Sequence, residues 1–198
     1  YVLLNNFTAG TLERMRIPYD TLREVNDDVV VASITGYGQT GPRRGWPCNH
    51  PTSAALSGLT GLFAYEGGEP LGFGHSHMDY VSGYLGAVAV LDALLRREIT
   101  GNGDHVDIAM VECGVTLNGA QLLDWAINGH VTRPMGNKSG ALGAILQGCY
   151  PCKGEDRWVV VTVRDSENLR ALEKTIGSKT GGSIQQLESA LRNWTETL

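Results

Sequence analysis

Asp79 is the side chain whose position in this sequence best suits covalent chemistry. It follows a polar, glycine-rich loop, and apolar residues then recur at helical spacing, at positions 81, 84, 85, 88, 91, 94 and 95. We therefore expect Asp79 in the first turn of a helix, where free backbone N–H groups and the positive end of the helix dipole favour an ionised carboxylate. Such a carboxylate can act as a nucleophile. The alternative is an aspartate that only caps its helix.

A metal site is the competing interpretation of the same segment. His75, His77 and Asp79 form an H-x-H-x-D pattern, similar to that of metallo-β-lactamase-like hydrolases, and could bind a catalytic zinc ion. That pattern continues with a second metal-binding histidine directly after the aspartate, where this chain has Tyr80. His105 and His130 lie beyond it without a recognisable ligand context. We therefore expect no metal and keep a zinc hydrolase as a minor alternative.

Composition and charge exclude several classes of partner. The chain has 198 residues, of which 42% are hydrophobic, and its 21 acidic and 16 basic residues give a formal net charge of −5. No run of like charge is long enough to follow a nucleic acid or an anionic membrane. The most apolar stretch, residues 81–95, is interrupted by polar residues and glycines, so we expect neither a membrane span nor a signal peptide. We expect a cytoplasmic protein.

The order of predicted elements favours an α/β fold. Predicted strands at 1–7, 28–35 and 104–110 alternate with predicted helices at 10–16, 19–26, 51–61, 78–98 and 110–129. This pattern predicts a Rossmann-like large domain, residues 1–144, with a mostly parallel sheet and flanking helices. Strand-like runs at 148–153 and 158–163 predict part of a smaller α+β domain, residues 145–198. Both ends fall within elements, so we expect a fragment.

Ordered sequence blocks on both sides of Asp79 resemble the family III CoA-transferases, the CaiB/BaiF group of formyl-CoA transferase-like enzymes. The resemblance extends over nearly the whole chain. It rests on the blocks Asn6–Met15, Tyr19–Leu22, Ser33–Pro42, Ala93–Arg97, Thr100–Gly103, Val106–Met110 and Cys149–Trp158, together with the Gly/Ala-rich helix after Asp79. It implies a longer protein, in which segments before and after this chain complete a homodimer of two interlocked subunits.

The resemblance also implies a reaction. Asp79 would attack an acyl-CoA thioester to give a mixed anhydride, the CoA thiolate would return to form an aspartyl-CoA thioester, and an acceptor carboxylic acid would complete the transfer. Coenzyme A, present as the acyl-CoA substrate, would contact Asn6, Phe7, Arg14 and Met15. A glycine-bearing loop at 136–143, which includes Gly140 in the substrate pocket, would stabilise oxyanions. This loop lacks the unbroken glycine run found in several members.

Asn49 and His50 bear on a second activity, that of an α-methylacyl-CoA racemase. Racemases of this kind resemble the family in fold, but their reaction needs a histidine thirty residues before the aspartate as the second acid/base group. Asn49 occupies that position, with His50 beside it. We place both in the substrate pocket and favour a transferase. A racemase and an incomplete, non-catalytic CoA-binding fragment remain the alternatives.

The cysteines are expected to be structural. Cys48 lies next to Asn49, but no base is placed beside it by the sequence, so we interpret it as a packing residue. Cys149 and Cys152 form a C-x-x-C pair in a predicted strand, whereas a reactive pair is stabilised at a helix N-terminus.

Overall fold

The computed structural model describes residues 1–138, 143–178 and 183–198. Its internal contacts divide the chain into two compact units, Tyr1–Pro134 and Met135–Leu198. The predicted domain boundary, between residues 144 and 145, therefore lies inside the second unit. Each unit is described separately below.

A three-stranded parallel sheet forms the centre of the first unit. Its strands are β1 (Val2–Asn5), β2 (Val30–Thr35) and β3 (Asp104–Ala109), in the order β1-β2-β3. The central strand β2 is an almost continuous apolar run, with no exposed surface at Val30, Val31 or Ala32. Parallel strands covered on both faces have this composition. The predicted α/β class is confirmed.

Seven helices accompany this sheet within the described part of the first unit. They are α1 (Thr11–Arg14), α2 (Tyr19–Val25), α3 (His50–Leu56), α4 (Leu59–Leu62), α5 (His77–Thr100), α6 (Met110–Leu117) and α7 (Gly119–Asn128).

The helices predicted at 51–61 and 110–129 are each divided in two. Gly58 separates α3 from α4 with φ at 86°, a left-handed conformation that favours glycine. Asn118 separates α6 from α7, and its side-chain Nδ2 donates to the Ser57 carbonyl at 2.6 Å. The two interruptions therefore meet. A hydrogen bond between residues 61 positions apart holds them, which is why local periodicity did not predict either break.

Helix α5 packs one side against the sheet and the other helices. Buried Ala93 joins Val30, Ala32 and Val106 in one core cluster, and buried Met78 joins Ala54, Met110 and Cys113 in a second. Within the described ranges, α5 is the one helix long and apolar enough to cross a membrane by length and composition alone. That is weak support for a span, because core helices have the same properties.

The second unit pairs an antiparallel hairpin with two helices. Strands β4 (Leu146–Pro151) and β5 (Trp158–Val163) are followed by α8 (Ser166–Ile176) and α9 (Ile184–Thr195). Their core contains Leu146, Tyr150, Val163, Leu187 and Leu191. Cys149 and Cys152 are free thiols.

Candidate active site

Asp79 lies in the first turn of α5, as its sequence position predicts. Helix α5 begins at His77, and the N-cap residue Ser76 provides no side-chain hydrogen bond to it. The Asp79 side chain is exposed. Among the described residues, nothing donates a hydrogen bond to its carboxylate. Asp79 is thus not the helix cap of the alternative interpretation, and its exposed side chain is accessible to a ligand.

Asp79 lines a cavity of about 440 Å³ in the first unit. The cavity lies where the carboxyl ends of β1 and β2 meet the first turns of α5, which is where open parallel sheets commonly bind ligands. Its volume is that of a small-molecule site. The lining residues are Leu4, Asn5, Asn6, Thr8, Ile34, Thr35, Gly36, Arg44, Trp46, Cys48, Asp79, Ser82, Gly83 and Met110.

Arg44 is the one cation, and Asp79 the one anion, among the described residues that line this cavity. Arg44 forms no ion pair with any other described residue. The loop that carries it is held by aromatic contacts: the Arg43 guanidinium lies 5.5 Å from the Trp46 ring centroid, and Trp46 meets Tyr37 edge-on at 6.2 Å. Sequence reasoning missed Arg44 and Trp46. The available signal was their position in the loop directly after a predicted parallel strand.

Thr35 contributes a second polar feature that sequence reasoning missed. It ends β2, it lines the cavity, and only 5% of its surface is exposed. Its hydroxyl has no hydrogen-bond partner among the described residues. Buried polar atoms are nearly always hydrogen-bonded in native proteins, since leaving one unpaired costs free energy. A hydroxyl in this state at a cavity wall is a candidate ligand contact.

Cys48 lies in the same cavity but is not poised to react. Burial raises the pKa of its thiol above the ordinary value, and the charge of Asp79 raises that pKa further, against opposing hydrogen bonds from Tyr37, Asn49 and Ser53. The thiol is therefore protonated at neutral pH, and the thiolate is the reactive form. Cys48 is also closely packed, because a Cβ added at Gly36 would lie 2.0 Å from its own Cβ.

Asn49 and His50 do not line the cavity around Asp79. The Asn49 side chain caps α3, with Oδ1 accepting from the Thr52 N–H at 3.2 Å and from the Thr52 hydroxyl at 2.8 Å. His50 instead reaches α5, where its Nδ1 accepts from the backbone N–H of Met78 at 3.1 Å. His50 lines a separate cavity of about 330 Å³ with Phe73. Gly140, the third residue predicted in the substrate pocket, lies outside the described residues.

One of the four predicted CoA contacts, Asn6, lines the cavity. Phe7 and Met15 are exposed instead, with 48% and 54% of their surface areas accessible to solvent. The Arg14 guanidinium donates to the Thr11 hydroxyl at 2.6 Å. These three residues are not part of the cavity lining.

His75 and His77 make contacts other than metal ligation. His75 Nδ1 lies 2.9 Å from the Phe73 carbonyl, and the His77 ring stacks on the Phe73 ring at 5.0 Å. Over residues 1–138, 143–178 and 183–198, no group of three His, Cys, Asp or Glu side chains is arranged to hold a metal ion. The H-x-H-x-D pattern does not form a three-ligand cluster there.

Comparisons with known proteins agree with the fold. The model of CoA-transferase family III matches residues 2–195. The chain is 34% identical over 145 residues to the succinyl-CoA:mesaconate CoA-transferase of Haloarcula hispanica, covering 71% of this chain and 37% of that protein. It is 38% identical over 112 residues to the succinyl-CoA–L-malate CoA-transferase beta subunit of Chloroflexus aurantiacus, covering 56% and 28%.

A solved structure shows the same fold. The crystal structure of a CaiB/BaiF family protein from Brucella suis matches all of this chain with a TM-score of 0.88 at 21% identity. The match covers 55% of that protein's chain. This chain thus spans less than two thirds of each of these three proteins.

Proposed function

Because the chain belongs to CoA-transferase family III, we propose that it carries the nucleophile-bearing part of an enzyme that transfers CoA from an acyl-CoA to a carboxylic acid. The carboxylate of Asp79 is the observation that supports this most directly. It is exposed at a helix N-terminus, accepts no hydrogen bond within the described residues, and lines a cavity of about 440 Å³. An attacking carboxylate needs this accessibility, because a lone pair on one of its oxygens must reach the thioester carbonyl carbon.

The proposed reaction exchanges bonds at the acyl carbons of the donor, of Asp79 and of the acceptor, without any change of oxidation state. An Asp79 oxygen bonds to the thioester carbonyl carbon, the C–S bond of the tetrahedral intermediate breaks, and CoA leaves as a thiolate, which yields a mixed anhydride of Asp79 and the donor acid. The thiolate then attacks the Asp79 carbonyl of that anhydride, forming an aspartyl-CoA thioester and releasing the donor acid. The acceptor carboxylate repeats the sequence in reverse, which yields the new acyl-CoA and free Asp79. Hydrogen-bond donors stabilise the oxyanion at each step, and the Thr35 hydroxyl is our candidate within the described residues.

We assign CoA binding to the loop after β1 and to α1. The exposed side chains of Phe7 and Met15 offer apolar surface to the adenine or the pantetheine arm. The Arg14 guanidinium, which donates one bond to Thr11, retains further donors for a phosphate group. Asn6, which lines the cavity, would contact the end of CoA nearest Asp79.

The charge on Arg44 favours substrates that carry a second anionic group. Arg44 shares the cavity with Asp79 and lacks an ion-pair partner among the described residues. A carboxylate at the far end of the acyl group or of the acceptor acid would supply that partner. Succinyl, malate and mesaconate, which appear in the names of the two relatives, each contain a second carboxylate. We therefore propose dicarboxylic acids as the substrate class.

A racemase mechanism fits the site less well. It requires an acid/base group that faces Asp79 across the substrate. The amide of Asn49 cannot exchange a proton in that role, and its oxygen is already engaged with Thr52. A racemase would exchange deuterium into Cα of a 2-methylacyl-CoA without an acceptor acid, which a transferase would not do.

Trapping the intermediate tests the proposal on the complete protein. Incubation with an acyl-CoA followed by hydroxylamine or borohydride should modify Asp79, as located by peptide mass spectrometry. Asp79→Asn should lower CoA exchange on the order of a thousandfold or more, because it removes the nucleophile. Asp92→Asn is the matched control, since Asp92 is an exposed carboxylate of the same helix that pairs with Arg96. Unchanged exchange in Asp79→Asn would contradict the proposal.

A further inference from the structure

The helix that carries Asp79 is capped by a side chain from another helix. The first N–H groups of a helix have no partner within it. In α5, the local N-cap residue Ser76 provides no side-chain bond. The N–H of Met78, the residue directly before Asp79, donates instead to Nδ1 of His50 at 3.1 Å. His50 is the first residue of α3. A single imidazole therefore joins the N-terminal ends of both helices.

His50 is itself held in place. The Asn49 cap fixes the start of α3 through Thr52. The His50 ring also meets the Phe73 ring edge-on, with 6.0 Å between the centroids. The acceptor nitrogen thus belongs to a constrained side chain, which is what a cap needs if it is to fix the position of the group it bonds.

Met78 is fixed from the opposite side by packing. Its side chain has no exposed surface and belongs to the cluster with Ala54, Met110 and Cys113. Its backbone N–H is bonded to His50, so both the side chain and the amide of this residue are constrained. Asp79 follows immediately, and its own N–H bonds to the Ser76 carbonyl at 3.1 Å. The backbone that sets the direction of the Asp79 side chain is therefore held by core packing of Met78 and by the hydrogen bond to His50.

The hydrogen bond also fixes the tautomer of His50. A backbone N–H can only donate, so Nδ1 must present its lone pair and the neutral ring must carry its proton on Nε2. In this arrangement Nδ1 is occupied and cannot serve as a general base. His50 acts on the site through the position of α5 and not through proton transfer at that nitrogen.

We propose that His50 is a positioning residue for the Asp79 nucleophile, and that it acts by accepting the Met78 N–H bond. This inference rests on the proposed function of Asp79. A catalytic group misplaced by about 1 Å can lose on the order of a hundredfold in rate. Loss of the acceptor should therefore lower kcat more than it changes KM for the acyl-CoA, since the cavity walls that bind substrate come from other residues.

Two variants of His50 distinguish the effect of losing the hydrogen-bond acceptor from the effect of losing the ring. His50→Asn keeps an acceptor oxygen close to the position of Nδ1 and loses the ring. His50→Phe keeps a ring against Phe73 and loses the acceptor. In the complete protein we expect His50→Phe to lower kcat for CoA exchange by about 10- to 100-fold with KM within about threefold, and His50→Asn to stay within about fivefold of the parent. Equal activity in the two variants, or the reverse order, would overturn the proposal.

Three further measurements keep the outcome independent of folding and of the proposed function. Thermal unfolding of both variants identifies any loss of rate that comes from a smaller folded fraction. The 15N chemical shifts of the His50 ring should show an unprotonated Nδ1 and a protonated Nε2, and amide exchange at Met78 should be faster in His50→Phe than in His50→Asn. A proton on Nδ1 would overturn the inference whatever the activity. The expected spectra in a protein without CoA exchange would instead contradict the proposed function.

Discussion

At the residue scale, the Cys48 thiol and the Asp79 carboxylate line the same cavity but have different surroundings. Burial and the neighbouring Asp79 charge raise the pKa of the Cys48 thiol, which keeps it protonated. Asp79 is exposed in the first turn of α5, and its carboxylate accepts no hydrogen bond from any described residue. These surroundings support our proposal that the carboxylate is the nucleophile.

The prediction on substrate choice concerns Arg44. Arg44→Gln should raise KM for a dicarboxylic acceptor by about tenfold or more, because a hydrogen bond to a charged group contributes about 1.5–3 kcal/mol. It should change KM little for a monocarboxylic acid of similar length. Arg23→Gln is the control, since Arg23 is an exposed cation of α2 outside the lining of this cavity. A loss that is the same for both acids but shrinks when the CoA phosphates are removed from the donor would assign Arg44 to CoA and contradict the prediction.

At the element scale, the position of α5 depends on close packing between short helices. Gly114 of α6 lies against α3, where an added Cβ would be 2.5 Å from the Ser57 Cβ and 3.1 Å from the end of the Met78 side chain. The α3 and α6 backbones can approach this closely only because residue 114 has no side chain. The same contact supports Met78, and so the turn that carries Asp79.

Gly114→Ala is therefore expected to destabilise the protein by about 1–3 kcal/mol through overpacking. Gly119→Ala, at the start of α7, is the control, because an added Cβ there meets no heavy atom within 4 Å. That change should be neutral or stabilise by up to about 1 kcal/mol, as alanine favours helix. Chemical denaturation measures both. Equal unfolding free energies for the two variants would show that the α3–α6 contact relaxes without cost.

At the scale of the whole molecule, the sequence predicted what local patterns encode. The apolar run Val29–Thr35 predicted the central strand, and the spacing after Asp79 predicted α5 with the carboxylate in its first turn. Tertiary contacts determined where two predicted helices are divided, which residues cap the helices and which residues line the cavity. The bond from Asn118 to Ser57 divides two helices. Asn49 and His50 are adjacent, yet they cap different helices. Arg44 joins the cavity from a loop, which has no periodic signal.

The second unit offers a prediction confined to its own core. Leu191 of α9 has no exposed surface and packs with Leu146, Tyr150 and Val163. Leu191→Ala should cost about 2–5 kcal/mol, because it leaves a cavity among these side chains. Amide hydrogen exchange should accelerate in β4 and β5. Ile184→Ala, at a half-exposed position of the same helix, should leave that exchange nearly unchanged. Unaltered protection of β4 and β5 in Leu191→Ala would contradict the core assignment.

The cavity wall at 44–48 has a consequence for how this protein can evolve. Residues 41–47 are exposed, whereas Met78, Ser82 and Gly86 on the nucleophile's helix are buried. Codon changes in the first stretch alter one wall of the cavity, and changes in the second disturb the core. If Arg44 and Asp79 act as we propose, selection for a different acid can change the loop while the helix is preserved, so that substrate preference and reaction chemistry are encoded in separate segments of the gene.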